Sequence, residues 1–149
     1  MREKPDHHDA ELLLRLYELR REEKLRQARD WVIREFQADS VDEMAEKYPH
    51  GSPEDTFLRM TVSYWDMAAS IVNQGLVQEI FFFETNSEFW VVWEKIKHLV
   101  PSHRAIWKNP ELYKNLEILA SKYEKWLRAR APDALPAMQD RLRTRSGSG

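Results

Sequence analysis

Apolar residues recur along most of this chain at the three- and four-residue spacing of amphipathic helices. A first stripe ends at Leu19, and a second begins at Leu25. This six-residue gap does not return to the same helix face. The pattern therefore predicts an N-terminal helix over residues 9–36 that bends or breaks near Arg21–Glu23. The alternative is one long helix whose two halves face different neighbours.

Signals for helix starts and stops divide the rest of the chain. A start is indicated where a short polar residue precedes an acid or a proline: Asp6 or Asp9, Ser40 with Glu43, Ser52–Pro53, Thr85 with Glu88, and Asn109–Pro110. Stops are indicated at residues 49–51, Gly75, Pro101 and residues 131–132. Further helices are predicted over residues 76–84, after Pro101, and between Pro132 and Arg143.

These elements predict an all-α fold, a globular bundle of about six or seven helices. The longest helices are expected near residues 9–36, 53–74, 86–100 and 110–130. The stripes are wide and aromatic, which favours a globular bundle over a coiled coil. We expect the following residues in the core: Leu16, Trp31, Tyr64, Ile71, Ile80, Phe81, Phe89, Trp93, Ile96, Leu116 and Tyr123.

The most apolar stretch is residues 75–96, which contains four of the six phenylalanines. Adjacent helical residues point about 100° apart, so Phe81, Phe82 and Phe83 cannot all face one core. One interpretation is a central helix that is buried on several sides. The other is a homodimer surface, or a pocket for an apolar ligand or partner helix. The residues we predict for such an interface or pocket are Tyr64, Trp65, Phe82, Phe83 and Trp90.

The length and composition of the chain indicate its domain organisation. A chain of 149 residues with 42% apolar residues is enough for one domain with a substantial core. We predict a flexible N-terminus over residues 1–8, a single helical domain over residues 9–145 and a linker-like tail over residues 146–149, SGSG. The N-terminal sequence does not resemble a signal peptide, and no apolar run is long enough for a membrane span. With no cysteine in the chain, we expect a soluble, cytoplasmic protein.

Charge is unevenly distributed along the chain. Residues 37–94 carry a net charge of −9, and residues 95–149 carry +7. The favoured interpretation is that these segments attract one another within the fold. The alternative is head-to-tail complementarity between copies in an oligomer.

The sequence offers few candidates for chemistry. Glu94, His98 and His103 could supply metal ligands, although Glu94 and His98 are more simply an ordinary pair on a helix surface. Motifs for nucleophilic catalysis and for phosphate-binding loops are absent from the sequence. Acidic residues alternate with the arginines of residues 20–34, which argues against nucleic acid binding. We therefore expect no cofactor, no metal and no enzymatic activity.

Several short motifs carry a resemblance to a known group of proteins. They are Leu16–Arg20, Ala28–Trp31, Asn73–Val77, Trp93, and Leu99–Pro101 before Arg104. Over about residues 9–128 the chain resembles a family of small bacterial helical proteins defined only as a domain of unknown function. Similar proteins often carry a membrane span before this domain, and we expect none here. The resemblance implies an all-helical bacterial domain and brings no catalytic residues.

We therefore predict a non-enzymatic protein–protein interaction or accessory module that binds a protein partner or a second copy of itself. A small hydrophobic ligand-binding domain with an aromatic pocket between helices is the alternative.

Overall fold

The structure of the protein, a computed structural model, describes residues 4–147 and places nine α-helices within them. The helices are α1 (His7–Arg20), α2 (Glu23–Arg34), α3 (Val41–Lys47), α4 (Pro53–Asn73), α5 (Glu79–Thr85), α6 (Glu88–Ile96), α7 (Val100–Ile106), α8 (Lys114–Arg130) and α9 (Ala134–Gly147). The all-α class is confirmed, whereas the expected count of six or seven helices is too low.

The predicted bend or break in the N-terminal helix is a complete break, which excludes the alternative of one long helix. α1 ends at Arg20, and the Glu22 carboxylate accepts hydrogen bonds from the backbone N–H groups of Lys24 and Leu25 at the start of α2. Glu22 thus satisfies two N–H groups that would otherwise lack partners at the first turn of a new helix. Asp6 caps α1 in the same way, so α1 begins at His7, within the segment expected to be flexible.

Two predicted helix starts are confirmed. Ser40 and Ser52 cap α3 and α4, accepting hydrogen bonds from the N–H groups of Glu43 at 3.1 Å and Asp55 at 3.2 Å. The Glu43 carboxylate binds the N–H of Asp39 instead of that of Ser40, so the reciprocal half of the predicted capping box is displaced by one residue.

The predicted start at Thr85 and Glu88 is wrong. The Thr85 hydroxyl donates back to the Phe81 carbonyl, and α6 begins after Ser87 without a side-chain cap. Glu88 instead pairs with Arg29 of α2. Tertiary pairing has overridden the local capping signal.

The boundaries of α5, α6 and α7 also differ from those predicted. α5 begins at Glu79, because the Gln78 side chain caps it at the N–H of Phe81, 2.7 Å away. The helix predicted over residues 86–100 is split into α6 and α7, and Pro101 lies in the first turn of α7. Proline is tolerated in the first turn, because the backbone N–H groups of that turn have no acceptors within the helix and the missing N–H costs no hydrogen bond.

α8 begins at Lys114 because of its contact with α4. Tyr113, just before the helix, has a left-handed backbone (φ 58°) and no capping side chain. The cap comes from Asp66 of α4, whose carboxylate accepts a hydrogen bond from the N–H of Leu116 at 3.0 Å. The Asn109–Pro110 signal produces a turn, in which the Asn109 side chain binds the N–H of Glu111.

α4 is the central helix. It packs against α2 on one side and α8 on another, while α6 contacts all three. α1, α5 and α9 contact α2, α4 and α8, respectively. Within residues 4–147, no helix is both long enough and apolar enough to cross a membrane.

Most of the predicted core is confirmed. Seven of the predicted core residues are buried: Leu16, Tyr64, Phe89, Trp93, Ile96, Leu116 and Tyr123. Trp31, Ile71 and Phe81 are partly buried. The prediction that Ile80 lies in the core is wrong, since this side chain is 43% exposed. It lies in the first turn of α5, where its neighbours Phe82 and Phe83 take the inward positions.

Some of the oppositely charged residues of the two segments pair with one another within the chain. Lys122 and Arg130 of α8 form ion pairs with Glu79 and Glu84 of α5, at 3.6 and 3.4 Å. These contacts agree with the predicted attraction between the acidic and basic segments. Of the predicted tail, residues 146–147 belong to α9; residues 148–149, like residues 1–3 of the predicted flexible N-terminus, lie outside the described part of the chain.

Candidate functional site

The five residues predicted for an interface or pocket form part of the core. Tyr64 and Trp65 lie on α4, Phe82 and Phe83 on α5, and Trp90 on α6; none is more than 7% exposed. Four of them are joined by ring contacts, either directly or through Phe89, which packs against Trp65, Phe82 and Phe83 at centroid distances of 5.3–6.2 Å. A partner or ligand would reach these side chains only if the helices separated.

A polar network borders this aromatic core. Arg29 of α2 forms two 2.8 Å hydrogen bonds to the carboxylate of Glu88 and a third, at 2.7 Å, to the carbonyl of Arg20. The Trp65 indole N–H lies 3.4 Å from the same carboxylate. The pKa of Arg29 is raised above its ordinary value, mainly by the hydrogen bond to Glu88. This network joins α2, α4 and α6 at the α1–α2 break.

A groove of about 960 Å³ lies on another part of the surface. Its walls come from the end of α2 and the loop after it, the end of α3, the end of α6 and the middle of α9. The lining residues are Ile33, Arg34, Glu35, Phe36, Gln37, Ala38, Asp39, Lys47, Tyr48, Glu94, Lys95, Lys97, His98, Gln139, Leu142 and Arg143. Its size is in the range of sites that hold small molecules or peptide side chains.

Side chains of α3, of α6 and of the segment just after α6 hold the end of α2 and the loop that follows it. Lys95 donates to the carbonyl of Ile33 at 3.1 Å, and Lys47 donates to that of Gln37 at 3.0 Å. His98 Nε2 lies 2.6 Å from the carbonyl of Ala38 and, as a donor, satisfies it. The last carbonyls of a helix have no hydrogen-bond donors within the helix. These side chains supply donors to carbonyls at the end of α2 and just after it. One wall of the groove is thereby fixed.

The groove combines an apolar floor with a charged rim. Tyr48 and Leu142 supply accessible apolar surface, whereas Phe36 and Ala38 are only 1% and 2% exposed. The rim has five cationic residues, Arg34, Lys47, Lys95, Lys97 and Arg143, and three acidic ones, Glu35, Asp39 and Glu94. The lining residues come from four separate segments, residues 33–39, 47–48, 94–98 and 139–143, so no local sequence motif predicts the groove.

The three candidate metal ligands have separate surroundings. Glu94 pairs with Lys97 and accepts a hydrogen bond from Gln139, while His98 binds Ala38. The expected Glu94–His98 surface pair is therefore wrong. His103 is half-buried on α7, and burial lowers the pKa of its imidazole. Among residues 4–147, no three His, Asp or Glu side chains are grouped as metal ligands would be.

Two adjacent apolar side chains project from the end of α7. Ile106 is 62% exposed and Trp107 is 71% exposed. The backbone below them is fixed, because Arg104 donates to the Leu112 carbonyl at 2.8 Å and to the Glu117 carboxylate at 3.0 Å. Exposed tryptophan is unusual in a small domain and frequent at protein interfaces.

The fold and groove define a small all-α domain with a mixed apolar and cationic groove. A family model described as "Domain of unknown function (DUF4760)" matches residues 5–126, and the chain belongs to this family. No curated protein and no solved structure matches the chain.

Proposed function

We propose that this domain is a non-enzymatic protein-interaction or accessory module that binds its partner in the groove between α2, α3, α6 and α9. The observation that carries this proposal is the composition of the groove, which combines apolar surface from Tyr48 and Leu142 with charged side chains. Binding surfaces for proteins commonly combine an apolar centre with a polar border.

The roles of the polar side chains in the groove favour binding over catalysis. Lys47, Lys95 and His98 bind backbone carbonyls and hold the loop. A catalytic base or nucleophile instead needs a partner that activates it and a position from which it can reach substrate. The contacts in this groove maintain its shape, which suits a preorganised binding surface.

The alternative, an aromatic pocket for a small hydrophobic ligand, has less support. Tyr64, Trp65, Phe82, Phe83 and Trp90 are buried against neighbouring core residues. Opening a pocket there would expose several aromatic rings to water. A homodimer through the same residues would require the same opening, so self-association would have to use other surfaces.

We also propose a cytoplasmic location. The absence of cysteine from all 149 residues suits a reducing compartment, where disulfides contribute little to stability.

Site-specific photocrosslinking in the cells that produce the protein would test the proposed function. A photoreactive residue is placed at Tyr48 or Leu142 in the groove, and at exposed Ile118 on α8 as the matched control. We expect both groove positions, but not position 118, to crosslink to the same protein. That protein, once purified, should form a complex with the domain in native mass spectrometry.

Two results would overturn the proposal. One is equal crosslinking at all three positions, which would indicate random collisions. The other is a reproducible small-molecule mass on the isolated monomer, lost on substitution of Trp65 or Phe82, which would establish the aromatic-pocket alternative.

A further inference from the structure

We infer that the groove takes an acidic segment of a partner protein. This inference rests on the proposed function, because it names the chemistry of the partner that the groove would bind. Charge is the first argument. Among the lining residues, Arg and Lys outnumber Asp and Glu by five to three, whereas the whole chain has a net charge of −2.

The cationic side chains come from separate parts of the fold. Arg34 ends α2, Lys47 ends α3, Lys95 and Lys97 lie at the end of α6, and Arg143 lies on α9. Folding therefore gathers five cationic side chains at one concave surface, and four of them form ion pairs with Asp30, Glu43, Glu94 or Asp140. Oppositely charged partners are steered toward such a surface before they dock.

Three of these cations can contact a partner without disturbing the core. Arg34 and Arg143 are 72% and 73% exposed, and their partners, Asp30 and Asp140, lie on their own helices. Exposed pairs of this kind contribute little to stability, so either arginine can exchange its partner for a ligand carboxylate. Lys97 is 48% exposed, and its ammonium has three N–H donors, so contact with Glu94 leaves capacity for another acceptor.

The apolar floor favours a protein segment over a nucleic acid. Tyr48 and Leu142, which are partly buried, provide apolar surface on which aliphatic side chains can pack between the ion pairs. Glu35, Asp39 and Glu94 interrupt the positive rim and would repel a continuous phosphate backbone. A peptide with separated carboxylates avoids this repulsion and pairs selectively with the arginines and lysines.

The inference can be tested by NMR titration of the isotope-labelled full chain. The probe is a short peptide of alternating Glu and Leu, compared with the same peptide carrying Gln in place of Glu. A single-stranded oligothymidylate is titrated separately. The test variant is Arg34→Glu with Arg143→Glu, which changes two exposed residues of the rim. The matched control is Arg26→Glu with Lys125→Glu, which makes the same change in net charge at exposed positions outside the groove.

We expect the acidic peptide to shift the amide signals of residues 37–39, 97–98 and 139–143. The rim variant should bind about tenfold more weakly than the wild type, while the control variant should change affinity less than about twofold. Equal losses in both variants would overturn the inference, since they would show only general charge attraction. Tighter binding of the Gln peptide or of oligothymidylate would overturn it as well.

Failure of this inference is distinguishable from failure of the proposed function. If Tyr48 and Leu142 crosslink to one partner that binds the rim variant as tightly as the wild type, the interaction function stands and the acidic specificity is wrong. If neither groove position crosslinks selectively and the acidic peptide shifts no groove signals, both are wrong.

Discussion

Arg29 and Glu88, which are 59 residues apart, form a two-pronged ion pair that joins α2 to the first turn of α6. Their side chains are 18% and 21% exposed, so water screens the pair only partly. Glu88 also lies at the positive end of the α6 dipole. The pair closes one edge of the aromatic core.

Replacing Arg29 by Ala should therefore destabilise the fold. The carboxylate of Glu88 would remain partly buried without its cation, and the Arg20 carbonyl would lose a donor. We expect the free energy of unfolding to fall by about 2 kcal/mol, as for a hydrogen-bonded charged group. Urea denaturation would measure this. Arg34→Ala is the control, because its exposed pair with Asp30 should contribute less than about 1 kcal/mol. Equal effects would contradict a special role for the Arg29–Glu88 pair.

Truncation of two tryptophans should have very different effects on stability. Trp93 is 9% exposed within the core, and Trp93→Ala should lower stability by about 3–5 kcal/mol through loss of packing. Trp107 is 71% exposed, and Trp107→Ala should change stability by less than about 0.5 kcal/mol. Thermal unfolding followed by circular dichroism would compare them. An unchanged melting temperature for Trp93→Ala would contradict its place in the core.

Thr61 should be a stabilising site for substitution. It is fully buried on α4, and its hydroxyl has no hydrogen-bond partner within residues 4–147. Valine has nearly the same shape without the buried polar atom, so Thr61→Val should raise stability by about 1 kcal/mol. Thr56→Val, at an exposed position of the same helix, is the matched control. A loss of stability at position 61 would indicate that its hydroxyl is satisfied.

Asp66 should make stability depend on pH. Burial raises the pKa of its carboxyl above the ordinary value, although the hydrogen bond from the Leu116 N–H opposes the shift. A raised pKa in the folded state means that the folded protein favours the neutral acid. The resulting stabilisation is fully present below the unfolded-state pKa of about 4 and is lost as pH rises through the folded-state pKa.

Asp66→Asn isolates this effect, because asparagine keeps an oxygen that can accept the Leu116 N–H and carries no charge. Wild-type stability measured relative to Asp66→Asn should fall as pH rises from about 4 toward neutrality. Urea midpoints across this interval would show it. A constant difference between the two proteins would contradict the raised pKa. Asp66→Ala should be less stable than Asp66→Asn at every pH, because it removes the cap of α8.

Much of the fold could be predicted where the signal was local. Ser52–Pro53 marked the start of α4 because the cap and the proline act on the adjacent turn. The α1–α2 break was predictable from the hydrophobic pattern, since the apolar stripe loses its phase between Leu19 and Leu25. Local signals failed where tertiary contacts decided the structure. Glu88 pairs with Arg29 and does not cap its own helix, and the cap of α8 comes from Asp66 on another helix.

The candidate site could not be predicted from the sequence. Aromatic density led to Tyr64, Trp65 and Trp90, but that density marks the core of the domain. The groove depends on Tyr48, Lys97 and Arg143, which belong to three distant segments. Their proximity results from helix packing, and no spacing rule connects them.

The position of α9 has a consequence for how the groove could be altered. The family match ends at residue 126, whereas Gln139, Leu142 and Arg143 of α9 form one side of the groove. The remaining walls belong to the shared family domain. Substituting these three residues would therefore change the shape and charge of the groove, while the other walls and the buried Leu135 of α9 stay unchanged. The domain is modular in this sense: residues outside the family match can alter a surface that the common scaffold supports.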